Sequence, residues 1–247
     1  MLRQFRQVIG RGMLSFEVVP GVHQLAIRSA NVYLLAGEEL ALIDTGFPGS
    51  SGGIVDYIRG IGRSEKEITS VIITHNHVDH MGSLAELRPL ARFKVLAHGA
   101  GLAGVGADPP YPSGIRRLLR VPFLHPVRQR FTLAPDDVDV RLEGGEVLDP
   151  LGGLEVVPTP GHTPGSISLY SARYRMLFVG DALQKRRRGP STPAKRISTD
   201  LAAAADSIAR MAVLDFDILC FGHGRPLTED PRGKLAALAG RLRVDNG

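Results

Sequence analysis

The sequence has very little cysteine and no long hydrophobic run. Among its 247 residues is one cysteine, Cys220, which excludes an intramolecular disulfide and a cysteine-based zinc cage. The longest apolar stretches, such as residues 71–73 and 218–221, are strand-length, far below the roughly 20 residues that cross a membrane. No apolar stretch follows the polar, basic residues 1–12, so we predict no secretory signal, no membrane partner and a cytoplasmic location.

Composition and length indicate one folded domain over residues 1–247. Hydrophobic residues make up 43% of the chain and charged residues 22%, a balance typical of a folded protein with a substantial core. The formal charge is +5, and basic residues concentrate in a predicted loop, residues 185–196, which holds Lys185 to Arg188. Such a run is usually solvated surface, but it can also attract an anionic substrate or nucleic acid.

Five apolar segments each end in a turn that carries Asp or His with Gly nearby. In α/β proteins the residues that follow strands meet at one edge of a sheet, where sites form. We therefore expect these turns to converge. The predicted strands are residues 39–43, 70–74, 154–157, 176–179 and 217–221.

Helices are predicted between several of these strands, which favours a layered α/β fold. We predict helices at residues 53–60, 81–90, 200–214 and 230–242. Ser198 or Thr199 is the expected N-cap of the third, and Asp230 with Pro231 begins the fourth. Two segments lie between the site motifs: an insert at about residues 98–135 and the loop 185–196. They could overhang the site, the insert as a lid or pocket wall, or they are ordinary surface elaborations.

Four residues of metal-ligand type fall within six positions: His75, His77, Asp79 and His80. Burying so many polar groups needs compensation, and imidazole and carboxylate are the ligands that zinc prefers. The sequence therefore predicts a metal site here. His23, His98 and His125 match no motif, so we expect no site role for them.

The pattern His75-x-His77-x-Asp79-His80 resembles the signature of the metallo-β-lactamase superfamily, and the stretches around it are similar to glyoxalase II. The resemblance spans about residues 18–227, and four further landmarks follow the family's order. These are Asp44 in residues 42–46, His162 in residues 159–165, Asp181 in residues 179–181 and His223 in residues 221–224.

The resemblance implies a four-layer αββα metallo-β-lactamase sandwich that binds two divalent metal ions, zinc in first place with iron or manganese as alternatives. It implies Asp79 and Asp181 as catalytic residues and Asp44 as a support behind the ligands. The implied first-metal ligands are His75, His77 and His162, the second-metal ligands are Asp79, His80 and His223, and Asp181 bridges both.

The expected reaction is attack by a metal-bound hydroxide on a carbonyl ester, thioester or lactone of a small molecule. Gln184 stands where the family's homoserine lactonases carry Tyr, which counts against that group. Two alternatives stay open. The first is a nucleic-acid phosphodiesterase, which the basic run from Lys185 to Arg188 favours. The second is an iron-dependent redox enzyme. We expect a small-molecule substrate, which could be anionic, and we do not expect nucleic acid as the partner. The oligomeric state stays open, and a dimer is one possibility.

Overall fold

The larger of two main sheets has eight strands in chain order. The computed structural model describes residues 7–10, 13–27, 29–102, 133 and 135–245. Strands β1 to β5 pair antiparallel, and β5 to β8 pair parallel. The strands are β1 Gln7–Gly10, β2 Met13–Val19, β3 Val22–Ile27, β4 Ala30–Ala36, β5 Leu40–Ile43, β6 Ile68–Ile73, β7 Lys94–His98 and β8 Val140–Leu142.

The second sheet has five strands in the order β15-β12-β11-β10-β9. Its last strand along the chain, β15, pairs parallel with β12, and the other pairs are antiparallel. The strands are β9 Val147–Leu148, β10 Leu154–Pro158, β11 Ile167–Ser171, β12 Met176–Phe178 and β15 Ile218–Cys220.

The segment predicted as a basic loop is largely a β-hairpin. Strands β13 Gln184–Arg186 and β14 Gly189–Ser191 pair antiparallel, and a 3-10 helix, Lys195–Ile197, follows. The prediction of a loop was wrong there because a positively charged strand pair lacks the apolar alternation that marks a strand in sequence.

Alternating side chains of the larger sheet build two separate cores. On β4, β5 and β6, Tyr33, Ile43 and Ile72 pack against the second sheet, whereas Leu34 and Leu42 face outward toward helices. This follows from the two-residue period of a strand. The resulting helix–sheet–sheet–helix order confirms the predicted four-layer αββα sandwich.

Helices cover the outer face of each sheet. The larger sheet is covered by α1 Ser51–Gly60, α2 Val78–Met81 and α3 Leu84–Leu87, and the smaller by α4 Leu201–Met211 and α5 Pro231–Asp245. Within the described ranges no helix has the length and apolar character to cross a membrane. The other 3-10 helices are Glu65–Glu67, Gly99–Gly101, Pro135–Asp137 and Pro150–Gly152.

Two details of the predicted helices were wrong. In place of one helix over residues 81–90 there are two short helices, α2 and α3, with Ser83 between them. Ser83 instead bonds an earlier turn: its Oγ donates to the Phe47 carbonyl and accepts from Ser50 N. The N-cap of α4 is Asp200, whose carboxylate accepts from Ala203 N at 3.0 Å. Thr199 instead donates to the Gly161 carbonyl.

The start of the insert lies against the candidate site. The Asn76 side chain donates to the Gly101 carbonyl at 2.8 Å, and a side chain at Gly165 would overlap the Gly101 backbone. Residues 103–132 and 134 lie outside the described residues, so the role of residues 98–135 as lid or pocket wall stays a prediction.

Candidate metal centre

The predicted site residues meet at one edge of the sandwich, just beyond the strand ends. Asp44 follows β5, and His75 follows β6. The turn after β10 carries His162, Asp181 comes three residues after β12, and His223 comes three residues after β15. All of the predicted ligands, contributed by both sheets, therefore lie together, although their roles as ligands stay a prediction.

One group of potential ligands consists of His75, His77 and His162. All three side chains are buried, and their ligand atoms lie within 4.8 Å of one another. His162 Nε2 faces His77 Nδ1 at 2.9 Å, and the ring centroids of His75 and His162 are 4.8 Å apart. These are the residues that the family resemblance assigns to the first metal.

A second group consists of Asp79, His80 and His223. His80 Nε2 lies 3.7 Å from Asp79 Oδ2, and His223 Nε2 lies 3.4 Å from the same oxygen. Helix α2 places Asp79 and His80 next to each other, and the turn after β15 brings His223 across from the other sheet.

The Asp181 carboxylate lies between the two groups. Its Oδ1 is 3.5 Å from His80 Nε2, and its Oδ2 is 3.3 Å from His223 Nε2 and 3.7 Å from His162 Nε2. A carboxylate in this position can contribute one ligand atom to each of two adjacent ions, which are about 3.5–4 Å apart in two-metal sites.

The spacing of these atoms and their missing partners fit divalent cations. Four tetrahedral ligands at about 2.0–2.1 Å from a zinc ion lie roughly 3.3 Å from one another, close to the separations around Asp181. Within the described structure the buried Nε2 atoms of His75 and His80 have no hydrogen-bond partner. Buried polar atoms are normally satisfied, so these two unpartnered nitrogens are positions that a metal ion can occupy.

Asp44 fixes the orientation of the ligands on the larger sheet. Its Oδ2 accepts hydrogen bonds from His80 Nδ1 and Thr74 Oγ1, both at 2.8 Å, and its Oδ1 accepts from Thr74 N. The Thr74 hydroxyl in turn lies 3.1 Å from His75 Nδ1. Each Nδ1 atom is thereby occupied, which leaves Nε2 for a metal, the usual arrangement around metal-bound histidine.

Glycine is required where the second sheet approaches the site. A side chain at Gly222 would overlap Asp181 Oδ1 and His80 Cε1. Gly180 has a φ of +48°, and a side chain there would overlap Thr74. Both positions let the backbone pass close to the ligands, as the glycines of the predicted motifs suggest.

The turn that carries His162 is held by helix α4. Backbone N–H groups of Thr199 and Asp200 donate to the Gly161 carbonyl, and the buried Ser207 hydroxyl donates to the Pro160 carbonyl at 2.8 Å. These contacts join α4 to the first ligand group. No pattern in the sequence marks Ser207, because it is a small residue within an alanine-rich helix.

Burial favours the neutral form of His75 and His162 in the first group. Desolvation lowers the pKa of His75 well below its usual value, and neighbouring histidines lower it further. Desolvation also outweighs the attraction of Asp181 and lowers the pKa of His162 to about 4. Neutral imidazole is the form that binds metals, so these side chains are ready to coordinate at neutral pH.

The carboxylates reverse this balance in the second group. Burial opposes a charged His80, but Asp181 and Asp44 outweigh it and raise the pKa to about 9. Burial likewise opposes charge on His223, but hydrogen bonds to Asp181 and Asp79 raise its pKa to about 11. Burial also opposes ionisation of Asp181, yet the nearby histidines hold its pKa well below the usual range. The negative charge here attracts a cation, whether a proton or a metal ion.

The second group faces solvent. The side chain of His223 is 38% exposed and that of Asp79 is 22% exposed, whereas the His80 side chain is fully buried. The base of the β13–β14 hairpin lies on this side, with Lys185 beside Gly224, since a Cβ at Gly224 would contact the lysine stem at 3.5 Å. A substrate can therefore approach past His223 and the hairpin.

The remaining histidines lie elsewhere. His23 is buried and its Nδ1 bonds the Tyr57 hydroxyl at 3.1 Å, and His98 Nδ1 accepts from Ala100 N. Neither belongs to a group of metal-ligand side chains among the residues that the structure describes. His125 lies outside the described residues.

Comparisons with known proteins agree with this geometry. The family described as the Metallo-beta-lactamase superfamily matches residues 26–223. The Probable metallo-hydrolase YflN of Bacillus subtilis (strain 168) is 32% identical and covers 94% of this chain and 95% of its own length. A Hydroxyacylglutathione hydrolase of Rhodopseudomonas palustris (strain HaA2) is also 32% identical, over 48% of this chain and 36% of its own. The solved metallo-beta-lactamase family protein TTHA1429 from Thermus thermophilus has a TM-score of 0.70 at 25% identity, over 92% of this chain and 81% of that one.

Proposed function

The chain belongs to the metallo-β-lactamase superfamily, and we propose that it is a dinuclear-metal hydrolase that cleaves a carbonyl ester, thioester or lactone of a small molecule. One observation carries the proposal: two groups of ligand-type side chains, His75 with His77 and His162, and His80 with Asp79 and His223, lie on either side of Asp181.

Each of the two proposed ions would take ligands from the turns of both sheets. His75, His77 and His162 would hold the first ion, Asp79, His80 and His223 would hold the second, and Asp181 would be shared by both. Two divalent ions bound there supply Lewis acidity, which lowers the pKa of water toward neutrality and polarises a carbonyl. The mixture of imidazole and carboxylate ligands favours zinc, and it also suits iron or manganese.

Neighbouring residues orient the rings of two proposed ligands. Asp44 holds the His80 ring by its Nδ1, and the Ser29 carbonyl holds the His223 ring by its Nδ1 at 2.6 Å. The substrate enters at the partly exposed side chains of Asp79 and His223. The three histidines of the first group are buried away from bulk water.

The similarity to a hydroxyacylglutathione hydrolase supports a substrate with a reactive carbonyl group. The name of that protein describes hydrolysis of an acyl group, and its similarity covers about half of this chain. Attack of water on an acyl carbonyl is the common step in ester, thioester and lactone hydrolysis, which supports this group of bonds as the target.

The β13–β14 hairpin supports an anionic substrate. Arg186, Arg187 and Arg188 are exposed at its tip, and its base lies beside the exposed His223 side of the site. The same charges favour the second candidate function, a nucleic-acid phosphodiesterase, because phosphate backbones bind clustered arginines.

Replacement of Asp181 by Ala tests the mechanism. Turnover of a panel of p-nitrophenyl esters, acyl thioesters and lactones should fall by more than about a hundredfold in kcat/KM, and metal content should fall with it, because the shared ligand is lost. Asp206→Ala, which removes an exposed carboxylate on α4, is the matched control and should leave both unchanged. Survival of every measurable activity in Asp181→Ala would contradict the mechanism.

A further inference from the structure

Three buried polar side chains lie behind the turn that carries His223. Gln24 is on β3, and Asn31 and Tyr33 are on β4, each at most 3% exposed. Apolar side chains would fill such strand positions at lower cost, because a buried amide must be hydrogen-bonded. Their partners therefore indicate what these residues do.

Asn31 alone bonds three carbonyls of the turn. Its side-chain Nδ2 donates to the Phe221 carbonyl at 2.8 Å and to the Gly224 carbonyl at 2.7 Å. Its backbone N–H donates to the Gly222 carbonyl at 2.8 Å. The carbonyls on both sides of His223 are thus fixed by one residue of the opposite sheet.

Gln24 and Tyr33 complete this contact. Gln24 Nε2 donates to Asn31 Oδ1 at 2.8 Å and to the Gly224 carbonyl at 2.9 Å. The Tyr33 hydroxyl donates to the Phe221 carbonyl at 2.8 Å. Gln24 therefore fixes the orientation of the Asn31 amide, which determines which of its atoms faces the turn.

Among the described residues, the direct hydrogen bonds of this network go to the segment of one ligand group. The network holds the segment 221–224, whose His223 belongs to the second group. The first group depends on different contacts: His75 bonds Thr74, and the His162 turn is held by α4 through Ser207. We therefore expect a change in Gln24 or Asn31 to act on His223 more than on His75 and His162, which depend on these other contacts.

We propose that Asn31, oriented by Gln24, is a positioning residue that sets the affinity of the second metal ion and not that of the first. The inference rests on the proposed two-metal function. Loss of residues that orient metal ligands typically weakens metal binding by about 10–100-fold. That loss should fall on one of the two ions.

The test is the zinc content of folded protein, measured after dialysis against a chelator-buffered series of zinc concentrations. Asn31→Ala should need about 10–100-fold more free zinc to fill its second equivalent, with the first equivalent unchanged. Zinc anomalous peaks from crystals at a limiting zinc concentration identify the emptied position. Ser207→Ala is the matched variant for the other group, and there the first ion should be the one weakened.

Gln24→Met provides a second variant if Asn31→Ala does not fold. It keeps the length of the side chain and Asn31 itself but removes the donors to Asn31 Oδ1 and the Gly224 carbonyl. The same selective loss is expected. A folded Asn31→Ala or Gln24→Met protein that binds both ions like the wild type overturns the inference, as does equal weakening of both ions. Wild-type protein that binds no second ion refutes the proposed two-metal function instead.

Discussion

The Asp44 carboxylate accepts three hydrogen bonds and links the ends of the neighbouring strands β5 and β6. It accepts from Thr74 N, Thr74 Oγ1 and His80 Nδ1, and its own backbone has a φ of 62°. Asp tolerates this left-handed conformation better than most residues do. Asp44 therefore contacts His80 of the second group directly and His75 of the first group through Thr74.

Asp44→Asn keeps the shape of this residue and removes its charge. The His80 Nδ1–H then loses its anionic acceptor, so we expect metal binding to weaken by about 10–100-fold. Competition with a chromophoric chelator measures the affinity. Asp56→Asn, an exposed position on α1, is the control and should match the wild type. Unchanged affinity in Asp44→Asn would mean that Asp44 does not support the metal ligands.

Single residues of the candidate site were predictable from sequence only where a motif contains them. His75, Asp181 and their partners stand next to apolar strands in short, distinctive stretches. Asn31 and Ser29 have no such signal, because their contacts join positions about 190 residues apart, and the pairing of the two sheets determines them. A buried Asn on a strand is visible in sequence, but its partners are not.

The charge of the β13–β14 hairpin is the feature that supports the proposed anionic substrate. Its tip carries Arg186, Arg187 and Arg188, and β14 packs on helix α5, where a Cβ at Gly189 would lie 3.5 Å from the Lys234 side chain. The hairpin is therefore supported from outside the site, and its arginines extend from a fixed base.

Changing the three hairpin arginines to Gln should raise KM for an anionic ester or thioester by about tenfold with little change in kcat, because only charge-based binding is lost. Neutral substrates should be unaffected. The control is Arg241→Gln with Arg243→Gln on the exposed face of α5. Equal KM values for all variants would contradict an anionic subsite.

The same variants decide the phosphodiesterase alternative. The wild type is incubated with structured RNA and with single-stranded DNA across a salt series. Steep salt-dependent binding with cleavage, lost in the arginine variant, would favour a nuclease. Absence of binding and cleavage supports a small-molecule substrate.

Across the whole molecule, the proposed metal ions connect the two sheets. The larger sheet and α2 supply His75, His77, Asp79 and His80, and turns of the smaller sheet supply the others. An ion that binds the folded state alone stabilises it, so metal should raise the melting temperature of the entire domain.

The layers of the fold were predictable from the family resemblance, and the packing details were not. The break between helices α2 and α3 depends on Ser83 bonding a turn more than 30 residues earlier in the chain. The basic hairpin depends on packing against α5. Both are set by contacts between distant segments, which local patterns do not contain.

Protonation links metal binding to pH. In the metal-free protein His80 and His223 hold protons at pH 7, because their pKa values are about 9 and about 11. A metal ion must displace these protons, so the apparent affinity of the second group should rise as the pH is raised from about 7 toward 9. Metal binding at pH 7 should release protons into the buffer.

Calorimetric titration of zinc into metal-stripped protein is the most direct test of the two-metal site. We expect two ions per chain, proton release that appears as a dependence of the heat on buffer ionisation, and a higher melting temperature in the loaded protein. Anomalous diffraction should place the ions about 3.5–4 Å apart on either side of Asp181. A stoichiometry of one or none at saturating zinc, iron and manganese would contradict the two-metal site.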